Sequence, residues 1–106
     1  WHDECLAVYG KWCSRRHHGR GVSEMFIDTT PGTPRIYREE VLRKIYTIGY
    51  DIEDNIVFGT DCLTDYNVDY FNSIIAMDKE ALDKIGITGI QREKYYARNI
   101  LRFLNG

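Results

Sequence analysis

In Asn55-Ile56-Val57-Phe58-Gly59-Thr60-Asp61-Cys62 a short apolar run stops at a glycine, a threonine and an aspartate. This reads as a buried strand with one acid at its C-terminal tip, where parallel α/β folds place reactive groups. A carboxylate in that position can coordinate a metal, accept a proton from metal-bound water or orient a histidine. Aspartate also caps helices and forms turns, so Asp61 has a purely local reading beside the chemical one. Asp28 ends a second such run, Glu24-Met25-Phe26-Ile27-Asp28-Thr29-Thr30, and would share the same opening if the strands are parallel. A wall contact or a local hydrogen bond accounts for it equally. Cys62 reads as a small packed residue, because no histidine follows it to act as a base. His2, His17 and His18 all precede both strands, so the strand tips cannot supply a histidine-rich metal site.

The other polar cluster, Ser14 to Gly21, reads Ser-Arg-Arg-His-His-Gly-Arg-Gly and is a glycine-punctuated loop. Its cations could attract phosphate, but no aromatic platform interleaves them, and a solvated connection explains the composition. His17 and His18 are adjacent, and adjacent side chains rarely converge on one metal without further ligands. Cys5, Cys13 and Cys62 are an odd set without a CxxC pair, which points to free thiols in a reducing, cytoplasmic setting. Cys5 and Cys13 lie about two helical turns apart, too far to share an ion directly.

The elements that would position these groups follow from periodicity. Glu4 to Trp12 carries Leu6, Val8, Tyr9 and Trp12 on roughly one face of a helix, with Cys5 and Cys13 beside it. After the strand at Glu24 to Thr30, Pro31-Gly32-Thr33-Pro34 breaks the chain. Thr33 can cap the next helix and Pro34 can take its first position, where a missing N–H costs nothing. That helix runs to about Ile48, burying Val41, Leu42, Ile45 and Ile48, and Gly49 stops it. The strand Asn55 to Gly59 then completes a βαβ unit, whose natural geometry is parallel with a right-handed crossover. A helix follows with Val68, Phe71, Ile74 and Ile75 on one face, and Met77 to Lys84 continues helix-friendly with Leu82 and Ile85 apolar, a break near Asp78 being the alternative. Gly86-Ile87-Thr88-Gly89 ends it, and a last helix, Gln91 to Leu104, presents Tyr96, Ala97, Ile100, Leu101, Phe103 and Leu104.

With 106 residues the chain has room for one small domain. Its 14 Lys and Arg against 16 Asp and Glu argue against a dedicated nucleic-acid binder, and with 43% hydrophobic residues the composition gives no reason to expect disorder. No run reaches the roughly 18 apolar residues that span a membrane, and Trp1-His2-Asp3-Glu4 lacks the order of a signal peptide. The first residue is not methionine, and the chain reads as part of a longer one. Internal repeats, a phosphate-binding glycine loop and a dinucleotide fingerprint are missing from the sequence.

In ordered combination these segments resemble the C-terminal portion of an amidohydrolase-related metal-dependent hydrolase. Ile56-Val57-Phe58-Gly59-Thr60-Asp61 resembles the last strand of that family's (β/α)8 TIM barrel. Glu93-Lys94-Tyr95-Tyr96-Ala97-Arg98-Asn99-Ile100-Leu101-Arg102-Phe103-Leu104 resembles its closing helix. Met25 to Thr30 would be the seventh strand, and Trp1 to Trp12 part of the sixth helix. The resemblance implies residues 1–106 as the last two strand-helix units, an α/β fold with two parallel strands and flanking helices. It implies a divalent metal, usually zinc, that activates water for hydrolysis, or in some members for decarboxylation or hydration. Asp61 alone matches a core position, as metal ligand or proton-transfer base. The family's His-x-His and later histidines have no counterpart here, so the chain is not expected to act alone. The implied partners are a small-molecule substrate, the remaining N-terminal barrel residues or a complementary chain, and a further copy in a homo-oligomer.

Two competing readings come from other classes. Leu82-Asp83-Lys84-Ile85-Gly86-Ile87 and the basic amphipathic helix after it resemble the tail of a sterile alpha motif domain, a small helical protein-interaction module. A non-catalytic α/β module, or a phosphate-binding βαβ unit using Gly59-Thr60, is the other; the latter lacks the glycine-rich first loop.

Overall fold

The computed structural model of the chain describes residues 2–14, 24–29, 37–60 and 68–106. Helix α1 spans His2–Trp12, with Asp3 and Glu4 in its first turn and Lys11 in its last, the charge order that suits the helix dipole. It buries Leu6, Tyr9 and Cys13, a stripe at i, i+3 and i+7. Val8 and Trp12, expected on the buried face, are 47% and 61% exposed. At about 100° per residue Val8 lies about 160° and Trp12 about 120° around the helix from Leu6, outside the stripe that Leu6 and Tyr9 bury. Gly10 lies beneath the Tyr50 ring, where an added Cβ would stand 2.2 Å from a ring carbon. The absent side chain is what lets α1 come this close.

Strands β1 (Ile27–Asp28) and β2 (Ile56–Val57) are parallel, with Ile27 opposite Ile56 and Asp28 opposite Val57. Both are shorter than the expected five to seven residues. Helix α2 (Arg38–Thr47) lies in the connection between them and buries Leu42 and Ile45. Val41 is half-buried and Ile48 exposed, and Gly49 at φ 93° turns the chain away, a conformation that favours glycine. Thr33, Pro34 and the expected cap lie outside the described residues. A single 3-10 turn, Ile52–Asp54, drops Ile52 into the core before β2.

Helix α3 (Val68–Ile85) is continuous, following the helix-friendly run Met77 to Lys84 without a break near Asp78. Asp78 instead occupies the same stripe as Ile74, Ala81 and Leu82 and is fully buried. Gly86, at φ 85°, closes the helix as the Leu82 carbonyl accepts the Gly86 and Ile87 N–H groups at 3.0 Å. The C-terminal helix follows in three parts: α4 (Gly89–Glu93), a π-wound turn (Lys94–Arg98) and α5 (Asn99–Asn105). The Gln91 side chain accepts the Thr88 N–H at 3.0 Å, anchoring the first turn.

The π turn decides how this helix meets the sheet. Asn99 donates its N–H to the Lys94 carbonyl, five residues back, and not to the Tyr95 carbonyl four back. The Tyr95 carbonyl accepts the Phe58 N–H at 2.9 Å, and the Asn99 side chain donates to the Ile56 and Glu53 carbonyls at 2.8 Å each. The outer edge of β2 is thus satisfied by the chain's own helix. Tyr95 and Asn99 are buried, whereas Leu101, Phe103 and Leu104, expected to pack on the sheet, are more than half exposed.

The core joins Leu6, Tyr9, Ile27, Leu42, Ile45, Ile52, Ile56, Leu82 and Tyr95 from all these elements. Around the pair of strands the helices form a small bundle, and the sheet neither curls nor closes. The TIM-barrel expectation is therefore corrected. A barrel strand pairs along both edges, but backbone groups at β2's outer edge are taken by Tyr95 and Asn99. Among the described residues no helix is long and apolar enough to cross a membrane.

Candidate functional site

The opening at the strand tips is filled by the protein's own side chains. Thr29 follows β1, Gly59 follows β2, and Arg38, the first residue of α2, reaches across both. Its guanidinium makes a two-pronged pair with Asp78, Nε to Oδ1 and Nη2 to Oδ2, at 2.7 Å each. It also donates to the Thr29 carbonyl at 3.1 Å, the Gly59 carbonyl at 3.1 Å and the Thr29 hydroxyl at 3.3 Å. The Tyr95 hydroxyl donates to Asp78 at 2.8 Å and lies 2.9 Å from the Thr29 hydroxyl. The Phe58 ring lies under the guanidinium, 5.9 Å from ring centre to Cζ.

These groups are closed to solvent: Arg38 is 5% exposed, Thr29 3%, and Asp78 and Tyr95 0%. Burial pulls the Arg38 guanidinium down, but the Asp78 carboxylate more than offsets this and holds it above its ordinary range. Burial, reinforced by the Asp78 charge, pushes the Tyr95 phenol far up, so it stays a donor. The space beside Thr29, Arg38, Val41 and Leu42 admits no water molecule. An acid paired on both oxygens in a closed site has no proton to exchange with a substrate. The cluster is a strut joining both strands, α2, α3 and the C-terminal helix.

The chemistry expected of the strand tips is corrected accordingly. Among the described residues no three of His, Cys, Asp and Glu come together to hold a metal ion. This overturns the expected zinc site and, with the open sheet, the metal-dependent hydrolase reading. Asp61 lies outside the described residues, as do Cys62, His17 and His18. Asp28 is exposed, and Nε2 of His2 lies 3.4 Å from its backbone carbonyl. Burial depresses the His2 pKa, which favours the neutral ring there.

Among the described residues a groove of about 520 Å³ between α3 and the C-terminal helix is open to another molecule. Ile75 and Lys79 form one wall; Arg92, Glu93, Tyr96, Ala97 and Arg98 form the other. Its floor is apolar. Tyr96 packs against Phe58 and Tyr95 at ring-centre distances of 5.0 and 4.9 Å, and burial pushes its phenol up to about 12. Its hydroxyl is buried without a hydrogen-bond partner among the described residues. Charges ring the groove: Asp83 pairs with both Lys79 and Arg92, and Glu93 with Arg98. Three cations against two anions leave this rim one positive charge in excess.

Groove and strut are one construction. Asp78 precedes Lys79 on one wall and Tyr95 precedes Tyr96 on the other, so the 2.8 Å bond between Tyr95 and Asp78 sets the spacing of the walls. Arg38, Asp78 and Tyr95 were not singled out from sequence. The available signal was Asp78 itself, a carboxylate in the middle of the Ile74 to Leu82 apolar stripe, which calls for a buried cation. Comparison with protein-family models, curated proteins and solved structures finds no match to this chain.

Proposed function

We propose that this chain is a small, non-catalytic interaction module that receives an apolar-faced helix in the groove between α3 and the C-terminal helix. The observation that carries this reading is the groove itself: an apolar floor of Ile75, Tyr96 and Ala97 inside a charged rim, with its walls held by a buried ion pair. Helices dock into such grooves through apolar anchors, and rim charges select the partner. The likeness of Leu82 to Ile87 and the following helix to a sterile alpha motif tail concerns the end of α3 and the C-terminal helix. The parallel strands fall outside that likeness, so the module is better described as helical with a small α/β core. A cytoplasmic setting fits the two described cysteines, Cys5 and Cys13, which are free thiols. The partner in this reading is a protein helix and not a small-molecule substrate.

The test is a titration of isotope-labelled chain with a synthetic amphipathic helix carrying one tryptophan flanked by carboxylates. Resonances of Ile75, Tyr96 and Ala97 should shift, and Ala97→Glu should abolish the effect while leaving the fold intact. An unresponsive groove at saturating peptide would overturn the reading.

A further inference from the structure

We infer that the helix received by the groove is α1 of a second copy of this chain. The inference rests on the groove being a docking site and names its occupant. Leu6, Tyr9 and Cys13 fasten α1 to the core, and the opposite face carries Glu4, Val8 and Trp12 at successive i+4 positions. Val8 is 47% and Trp12 61% exposed, a large apolar pair that the fold itself leaves uncovered. Glu4, one turn above them, has no ion-pair partner among the described residues, and Lys11 flanks Trp12 with its ammonium 5.0 Å from the ring centre.

The two surfaces match in shape and in charge. A volume of about 520 Å³ accepts an indole with room for the Val8 side chain above it. The Tyr96 ring lies in the wall that the incoming helix would meet. The Glu4 carboxylate meets a rim with one cation in excess, and Lys11, about ten ångströms along the helix, can reach Glu93. Opposite charges at the two ends of the stripe fix its direction in the groove.

Each contact joins two different surfaces, so one contact leaves a stripe and a groove free for the next copy or for a reciprocal contact within a two-fold pair. Such contacts grow into open chains or closed rings. One tryptophan and one valine bury well under the roughly 800 Å² per partner of a stable complex, so association is weak, on the order of 100 micromolar.

Sedimentation equilibrium decides the matter. The weight-average mass should rise from the single-chain 12.4 kDa to at least twice that as concentration approaches about 1 mM. Trp12→Lys and Ala97→Glu each change an exposed helix position and should each hold the protein at one-chain mass with unchanged circular dichroism. Mixed together, they restore one intact stripe and one intact groove and should form a 1:1 pair that grows no further. Val8→Lys repeats the α1 arm independently. A wild-type chain that stays at one-chain mass, or variants that associate as the wild type does, overturns the inference. If the chain remains single while the acidic peptide still binds the groove, the second copy is refuted and the module reading stands. If neither binds, both fall.

Discussion

Asp78 is the residue on which most of the fold depends. Its two oxygens meet Arg38 and Tyr95 in a site with no access to water, so neutralising it leaves a guanidinium buried without a counter-charge. Breaking one side of such a pair costs about 3–5 kcal/mol, even where replacing the whole pair by apolar groups costs little. Asp78→Asn should therefore lower unfolding free energy in urea by about that amount. Tyr95→Phe, which removes one hydrogen bond to a charged group and keeps the ring, should cost about 1–3 kcal/mol. An Asp78→Asn protein within about 1 kcal/mol of wild type would show that the strut is not what holds these elements together. Sequence reading left a break near Asp78 open and assigned its carboxylate no partner. A partner forty residues earlier is invisible to local pattern, and Arg38 next to Glu39 and Glu40 looks like an ordinary surface cation.

At the scale of elements, the helices were legible and their orientations were not. The α2 helix, its glycine stop and the parallel strand pair follow from spacing and from the connection length. On α1 and α5 the rotation came out wrong, for different reasons. α1 carries apolar residues around much of its circumference, so a count of them does not select a face; Tyr50 over Gly10 and the Tyr9 hydroxyl on the Asp51 carbonyl, 3.0 Å away, do. On the C-terminal helix a polar residue, Asn99, sits at the centre of the contact because its amide satisfies two carbonyls near β2. Asn99→Ala would leave the Ile56 carbonyl without that donor and should cost about 1–3 kcal/mol. Amide exchange at Phe58 should accelerate in the same variant as the helix loosens. Unchanged exchange there would mean that Asn99 does not hold the helix to the strand. Leu104→Ala, at a side chain 69% exposed, makes a suitable control.

At the scale of the whole molecule, three tyrosines on α2 and the C-terminal helix share one environment. Burial pushes Tyr95 and Tyr46 far above the ordinary phenol range and Tyr96 up to about 12. A group whose pKa is raised by folding favours the folded state fully below its unfolded value, about 10 for tyrosine, and loses that contribution as pH climbs towards the folded value. Stability should be flat with respect to these groups up to about pH 10 and fall above it. An alkaline titration followed by tyrosinate absorbance and circular dichroism should show these phenols ionising together with unfolding. Independent, smooth ionisation of all eight tyrosines with the circular dichroism intact would contradict the common buried environment.

The sequence alone determined the helices and a short parallel pair of strands, because periodicity and connection length are local properties of the chain, but it read them as the end of a closed barrel. It also marked the strand tips as a place where polar groups gather. Tertiary structure decided what those groups do, since the distance from Arg38 to Asp78 and from Tyr95 to Thr29 exists only after α2, α3 and the C-terminal helix have met. Once they meet, the tips are filled, the edge of β2 is covered and the sheet cannot close into a barrel. What remains accessible is a groove made by two helix walls, and no single segment of sequence contains it.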